Sequence, residues 1–271
     1  MTSHIANYLY LDGTVVQEEV IGVGGAGIVV NREGYALKIP LISKVFEIDG
    51  VPVDDRILNA DAGDSYDELA VAIKSFRHEK AIYKRLGDHP GIIPCYNVDS
   101  EDPSIQMPLM VGDLRKYLVD VRPTRARQLS WLLQLARIMA YAHSKRILIC
   151  DFRLDNIVYD DMMNLRLIDF SESSLMDPDW DLDRCDRYGY SILTDIGQFG
   201  AVMFEIITGQ HCRFDIYQDW TGPGDATTWP RRETLPSTSE VWLGSIIEKC
   251  WTEGVLSADD LERELKKVNV C

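Results

Sequence analysis

Residues 147–172 run ILICDFRLDNIVYDDMMNLRLIDFSE, a string that few folds can place. Two short apolar runs, Ile147–Ile149 and Ile157–Tyr159, bracket the polar residues Asp151, Arg153, Asp155 and Asn156, and a third, Leu165–Ile168, delivers Asp169. Apolar strands that hold several polar side chains at their ends are how a rigid scaffold presents a reactive site. Each polar residue taken alone also reads as part of an acidic turn between strands.

Taken together, the set has a definite chemistry. Phosphoryl transfer needs a carboxylate to orient and deprotonate a hydroxyl, an amide oxygen and a second carboxylate to hold Mg²⁺, and a cation for the moving group. Asp151, Asn156, Asp169 and Arg153 supply these as D-x-R-x-x-N, followed thirteen residues after Asn156 by D-F-S.

Upstream, from Val15 to Lys38, apolar β-formers alternate with turn residues, which predicts three short antiparallel strands. The first turn, GVGGAG, puts Gly22, Gly24 and Gly27 in G-x-G-x-x-G, where missing side chains let backbone N–H groups approach phosphate oxygens. In a dinucleotide fold a helix would start inside that loop. Here the β-branched run Ile28, Val29, Val30 follows, then a turn at Asn31–Gly34 and a strand ending at Lys38. That order predicts a phosphate lid with a lysine beside it. A helix is expected from about Asp67 to Leu86, with Leu69, Ala72, Ile73, Phe76, Ile82, Tyr83 and Leu86 on one stripe. Glu79 falls within the stripe. A core-facing carboxylate needs a cation, for which Lys38 is the candidate; the competing reading is a solvated glutamate next to Lys80.

A chain of 271 residues, 46% hydrophobic, can bury a full core as one globular unit with two lobes. A net charge of −15 argues against a general nucleic-acid or membrane binder, which needs a positive surface. The six cysteines form no CxxC pair, the opening MTSHIANYLYLDG lacks a basic segment leading into an apolar run, and no stretch approaches the roughly 18 apolar residues of a membrane span. A soluble protein of a reduced intracellular compartment, cytoplasmic or nuclear, is expected. Stretches 40–66 and 218–240 read as loops, and 177–186 (DPDWDLDRCD) as a solvated one. Arg125 to Ser144 reads as an amphipathic helix on Leu129, Leu132, Leu133, Ala136, Met139, Ala140 and Ala142, with His143 as a packed or capping residue at its end. Trp131, Trp242 and Trp251 read as core aromatics.

From about Val20 to Leu265 the chain resembles the eukaryotic protein-kinase family. GVGGAG looks like the glycine-rich loop, ALKIP like the third-strand lysine motif, FRHEKAIYKRL like the helix with the paired glutamate, and ICDFRLDN like the catalytic loop. LIDFSE stands where D-F-G is expected, TDIGQFG resembles the helix whose aspartate, here Asp195, anchors the catalytic loop, and EKCW resembles a late helix. GVGGAGIVV, HPGIIPCY, WPRRETLP and IIEKCW are similar in wording to divergent kinase-like proteins of filamentous fungi.

The resemblance implies an α+β, bilobal protein-kinase fold over 1–271: an antiparallel-sheet N-lobe at about 1–106, a hinge at 107–111 and a mainly helical C-lobe at 112–271. It implies an ATP- and Mg²⁺-dependent protein kinase, serine/threonine directed, with Asp151 as base, Arg153, Lys38 and Glu79 as further catalytic groups, and Asn156 and Asp169 on the metal. Nucleotide contacts are implied at Ile21, Gly22, Gly24, Gly25, Ala26, Gly27, Val29, Ala36 and Lys38, at Gln106 near the gatekeeper position, and at Met107, Leu109 and Asn156. Partners are ATP and a protein substrate, with no nucleic acid or membrane, and the chain acts as a monomer. Two alternatives stand beside this: a nucleotide-binding pseudokinase scaffold, and a small-molecule phosphotransferase of the aminoglycoside or choline kinase type, which MDPDWDL superficially suggests.

Four departures shape the expectation. Ile149 and Cys150 replace the histidine and arginine of H-R-D, which makes this a non-RD chain and removes the clamp on an activation-loop phosphate. Arg153 replaces the common lysine, keeping a cation but changing its shape. Ser171 replaces the D-F-G glycine. Between Asp169 and Asp195 the interval is short and no A-P-E appears, so the peptide-docking platform is abbreviated.

Overall fold

The computed structural model describes residues 4–25, 27–48, 51–52, 62–222 and 227–270. They fall into two compact units, Met1–Gly87 with Pro94–Leu109, and Asp88–Ile93 with Met110–Cys271.

The first unit contains β1 (His4–Tyr8), β2 (Glu19–Val23), β3 (Gly27–Arg32), β4 (Tyr35–Pro40), β5 (Ser43–Ile48), β6 (Val51–Pro52), helix α1 (Ala62–Leu86) and β7 (Ile105–Pro108). Strands β2, β3, β4 and β7 form one antiparallel sheet in that order. The three strands expected from Val15 to Lys38 are its first three. Arg32 pairs with Tyr35, so Glu33 and Gly34 make a two-residue turn, both with positive φ (52° and 86°). That is the twist a tight hairpin demands.

Because alternate residues of a strand face opposite ways, the pairing sorts the sheet into two faces. Ile28, Val30, Leu37 and Ile39 form a buried cluster on one, covered by Tyr8, Tyr10, Val16 and Val20. Val29, Ala36, Lys38, Ile105 and Met107 share the other. Helix α1 begins five residues before the expected start, and buries Phe76, Glu79, Ile82, Tyr83 and Leu86.

A second sheet, β1-β5-β6, departs from the sequence reading, which left 40–66 as loop. Strand β5 carries Val45, Phe46 and Ile48 between charged residues, and its pairing with the distant β1 supplies the bonds that its own sequence does not announce.

In the second unit, β8 (Gly112–Asp113) leads into α2 (Leu114–Asp120), capped by Asp113, and α3 (Arg125–Ser144), capped by Thr124. Strands β9 (Ile147–Leu148), β10 (Ile157–Tyr159), β11 (Leu165–Leu167) and β12 (Ser174–Leu175) pair as β11-β10-β8 and β12-β9. Helices α4 (Ile192–Thr208), α5 (Gly244–Trp251) and α6 (Ala258–Lys266) follow. Helix α3 is rotated from the expected stripe: its buried face runs through Gln128, Trp131, Leu132, Leu135, Ile138, Met139 and Ala142, because both α4 and α6 pack against it. Leu129 and Leu133 are left half-buried.

Helix α4 is the unit's axis. Ser191 and Thr194 form a reciprocal cap at its start, and Gly209 ends it in the left-handed conformation. Thirteen of its seventeen residues are buried, which only an almost wholly apolar helix sustains. Trp131 and Trp251 are fully buried, as expected of core aromatics, whereas Trp242 is half-buried under Arg125. Among the described residues no helix is long and apolar enough to cross a membrane.

Candidate active site

In the first unit the Lys38 ammonium lies 2.8 Å from Glu79 Oε2, and the two side chains are only 5% and 1% exposed. Removing either partner of such a pair strands a buried charge at a cost of about 3–5 kcal/mol. The Phe76 ring lies 5.8 Å from Lys38 Nζ and adds a cation–π contact. Lys80, the alternative companion of Glu79, is engaged elsewhere: its ammonium donates to the carbonyls of Ser100 and Asp102, each at 2.7 Å.

The glycine loop is the turn between β2 and β3, closed by Gly24 N–H donating to the Gly27 carbonyl at 2.8 Å. A Cβ on Gly27 would fall 2.3 Å from the Ile39 carbonyl oxygen, so only glycine fits there. Gly22, Gly24 and Gly25 differ, since a Cβ on each meets nothing closer than 3.6 Å and none has positive φ. Among the described residues nothing requires their lack of side chains. Ala26 lies outside the described residues.

Val29, Ala36 and Met107 stand on the Lys38 face, where the Tyr83 hydroxyl meets the Met107 sulfur at 3.9 Å. Gln106 pairs with Leu37 and so faces the opposite side, its backbone N–H held by Asn97 Oδ1 at 2.8 Å. Ile105 and Met107, not Gln106, are therefore the β7 side chains on the Lys38 face, and Met107 also meets Tyr83. Ile21 sits at an irregularity in the β2–β3 register, and Leu109, just past β7, is exposed.

In the second unit the catalytic-loop residues are fixed by a buried network centred on Asp195 in α4. Its carboxylate accepts from the backbone N–H groups of Ile149 and Cys150, both at 2.8 Å, and contacts His143 Nε2 at 2.8 Å. His143 is thus more than a helix end: it orients Asp195. Gln198, one helical turn further along α4, grips the loop on either side of Asp151. Its Oε1 accepts from Phe152 N–H at 2.9 Å, and its Nε2 donates to the Cys150 carbonyl at 2.6 Å. Sequence reasoning missed Gln198; its signal is a lone amide three residues after Asp195, on the same helical face.

These anchors present the reactive groups. Asn156 Nδ2 donates to the Asp151 carbonyl at 3.0 Å and to its carboxylate at 2.9 Å, and Arg153 Nε lies 3.2 Å from Asp151 Oδ2. Burial raises the Asp151 carboxyl above its ordinary range, while Arg153 and the Asn156 bond oppose that rise. Asp169 follows β11 with φ of 58°, a left-handed conformation rare for a residue with a side chain. It is held there by Ser171, whose N–H and hydroxyl both donate to Asp169 Oδ1, at 3.2 and 2.8 Å. The serine in the D-F-G glycine position thus adds a bond that glycine could not make.

Asn156 turns its amide nitrogen to Asp151, which leaves Oδ1 as the amide's acceptor. That oxygen and the Asp169 carboxylate are hard donors, the pair Mg²⁺ takes when phosphate and water complete its shell. The residues present fit the ion.

Cys150 does not sit in a polar clamp. It is buried among Leu148, Met176 and Ile192, with Trp180, Leu182 and Tyr190 packed against them. The segment after Asp169 is tied down further by Asp186, whose carboxylate contacts the Ser174 hydroxyl and accepts from the N–H groups of Tyr188 and Tyr190 at 2.8 Å. The stretch 177–186 is therefore only in part the solvated loop expected. Asp177, Asp179, Asp181 and Asp183 are exposed, but Trp180 and Leu182 are half-buried and Asp186 is buried.

Comparison with known proteins places the chain among the protein kinases. The model of the protein kinase domain matches residues 57–191. A serine/threonine/tyrosine-protein kinase of Arabidopsis thaliana is 24% identical over 223 residues, covering 73% of this chain and 56% of that protein. A mitogen-activated protein kinase of Wallemia ichthyophaga is 25% identical over 208 residues, 72% of this chain and 52% of that one. A putative serine/threonine-protein kinase/receptor of Acanthamoeba polyphaga mimivirus is 26% identical over 199 residues, 65% of this chain but 12% of that protein. The chain belongs to the eukaryotic protein kinase family, with its bilobal α+β fold. It spans only 12% to 16% of the length of several of the relatives it matches.

Proposed function

We propose that this chain is an ATP- and Mg²⁺-dependent protein kinase, serine/threonine directed, which transfers the γ-phosphoryl group to a hydroxyl held by Asp151. The observation that carries the reading is the Asp151–Asn156–Arg153 cluster, built on a loop whose backbone is pinned by Asp195 and Gln198. Such pinning is what a general base needs to stay within hydrogen-bond reach of its substrate.

The first unit would contribute the nucleotide contacts. A side chain on Gly25 would enter open space and one on Gly22 or Gly24 would meet only ordinary contacts, which suits close approach of phosphate oxygens to backbone N–H groups. Lys38, oriented by Glu79, would pair with the α and β phosphates, and Val29, Ala36 and Met107 would give the adenine an apolar wall, with Ile21 and Leu109 at its margins.

The second unit would contribute the chemistry. Asn156 Oδ1 and the Asp169 carboxylate would hold Mg²⁺, which when bound neutralises charge on the phosphates. Asp151 would accept the proton of the acceptor hydroxyl as its oxygen attacks phosphorus, and Arg153 would steady the transferring group. We assign the protein to an intracellular compartment, acting as a monomer.

The direct test incubates purified protein with γ-labelled ATP, Mg²⁺ and mixed protein acceptors, and then hydrolyses the products to amino acids. Label on serine and threonine is expected. Nucleotide binding without any transfer would instead identify a pseudokinase scaffold.

A further inference from the structure

Beside Asp151 and Arg153, the second unit holds a cavity of about 510 Å³, walled in part by Tyr190, Gln198 and Phe214. Two of its carboxylates face each other: Glu205 from α4, 5% exposed, and Asp155 from the catalytic loop. Arg115 from α2 spans both, with Nε 2.7 Å from Asp155 Oδ1 and Nη1 2.8 Å from Glu205 Oε2. His211 Nδ1 lies 3.3 Å from the other Glu205 oxygen, Arg213 pairs with Asp215 at 3.0 Å, and Arg153 with Asp151 at 3.2 Å. Each acidic group on the wall, Asp151, Asp155, Glu205 and Asp215, thus has a cation of the same chain against it.

We propose that Arg115 is a built-in occupant that sets the substrate class: it fills the carboxylate pair an acceptor's basic side chain would use, so the site takes segments without selecting a basic residue beside the phosphorylated hydroxyl. The inference rests on the phosphotransferase reading above, which places the acceptor hydroxyl at Asp151. Two effects oppose each other here. The net charge of −15 attracts basic segments from a distance. Beyond about 8 Å at physiological salt that attraction is screened, whereas the guanidinium in the cavity acts at contact. An acceptor arginine must also displace a side chain tethered at an effective concentration of roughly millimolar or more. The forked guanidinium bridges two carboxylates at once, a geometry that a competitor could at best equal. The local occupant outweighs the long-range field.

The test uses peptides with a single serine, in which each of the neighbouring positions is in turn arginine, alanine or glutamate. Phosphorylation kcat/KM is measured with the intact chain, Arg115→Ala and Arg115→Gln, and peptide affinity is measured separately by fluorescence anisotropy without ATP. In the unaltered chain, arginine and glutamate peptides are expected within about threefold of alanine peptides at every position. In both variants the arginine-to-alanine ratio, in kcat/KM and in affinity, is expected to rise about tenfold or more at one position. Millimolar N-ethylguanidinium, by refilling the pair, should reverse that gain. Arg115→Gln keeps a neutral chain of similar length over Glu205 and serves if the alanine variant melts below the assay temperature. A tenfold preference of the unaltered chain for either charged peptide, or unchanged ratios in the variants, would overturn the proposal. If no peptide is phosphorylated by any form, the phosphotransferase reading fails, and the affinity comparison still decides the role of Arg115.

Discussion

Cys150 occupies the position at which many kinases carry a clamp for a phosphorylated loop, and its surroundings have become apolar to match. Leu148, Met176, Ile192 and the half-buried Trp180 and Tyr190 pack against it, and desolvation, with smaller contributions from the charges of Asp195 and Asp186, pushes the thiol strongly up. Cys150→Arg is therefore expected to lose about 1–3 kcal/mol of stability, read as a lowered denaturation midpoint, because it forces a longer side chain into a filled cluster. Asp151 yields a second expectation, on pH. Its folded-state pKa is raised, so this carboxyl binds a proton more tightly in the folded chain than in the unfolded one. Its contribution to stability is present at low pH and is lost as pH rises through the raised value. Activity runs the other way, since the base works only when ionised. The acid limb of the rate profile should lie above the ordinary carboxylate range, and Arg153→Ala, which removes the main opposing influence, should move that limb further up in pH.

At the level of elements, the glycine loop separates two kinds of glycine that its motif treats alike. Gly27→Ala forces a Cβ to within 2.3 Å of the Ile39 carbonyl and should destabilise the chain by about 1–3 kcal/mol. Gly25→Ala meets nothing within 4 Å, so its melting temperature should be unchanged while ATP affinity falls, the cost appearing only when phosphate approaches. Strands β2 to β4 were legible because alternation and turn residues are local signals. The Lys38–Glu79 pair was legible through a polar residue on an apolar stripe. Strands β1 and β5 were not, since their stability comes from pairing with each other across some forty residues. The face that Gln106 takes likewise depends on its register with Leu37, which its placement near the gatekeeper position by spacing from a later motif does not fix.

At the scale of the molecule, the residues that carry chemistry were readable in sequence, and of the groups that hold them Asp195 was readable by resemblance while Gln198 and Arg115 were not. Asp151, Asn156 and Asp169 lie within nineteen positions and announce themselves by type and spacing. Gln198 and Arg115 act across 46 and 40 positions respectively, and nothing local marks them as partners of the catalytic loop. The central claim is that Asp151 performs the transfer while other groups bind nucleotide. It is tested most directly by measuring ATP·Mg²⁺ affinity and phosphate transfer side by side for the unaltered chain and Asp151→Asn. The account expects affinity to hold within a few-fold and transfer to fall by about 100-fold or more, the scale of losing a general base. Transfer that survives undiminished in Asp151→Asn would contradict it.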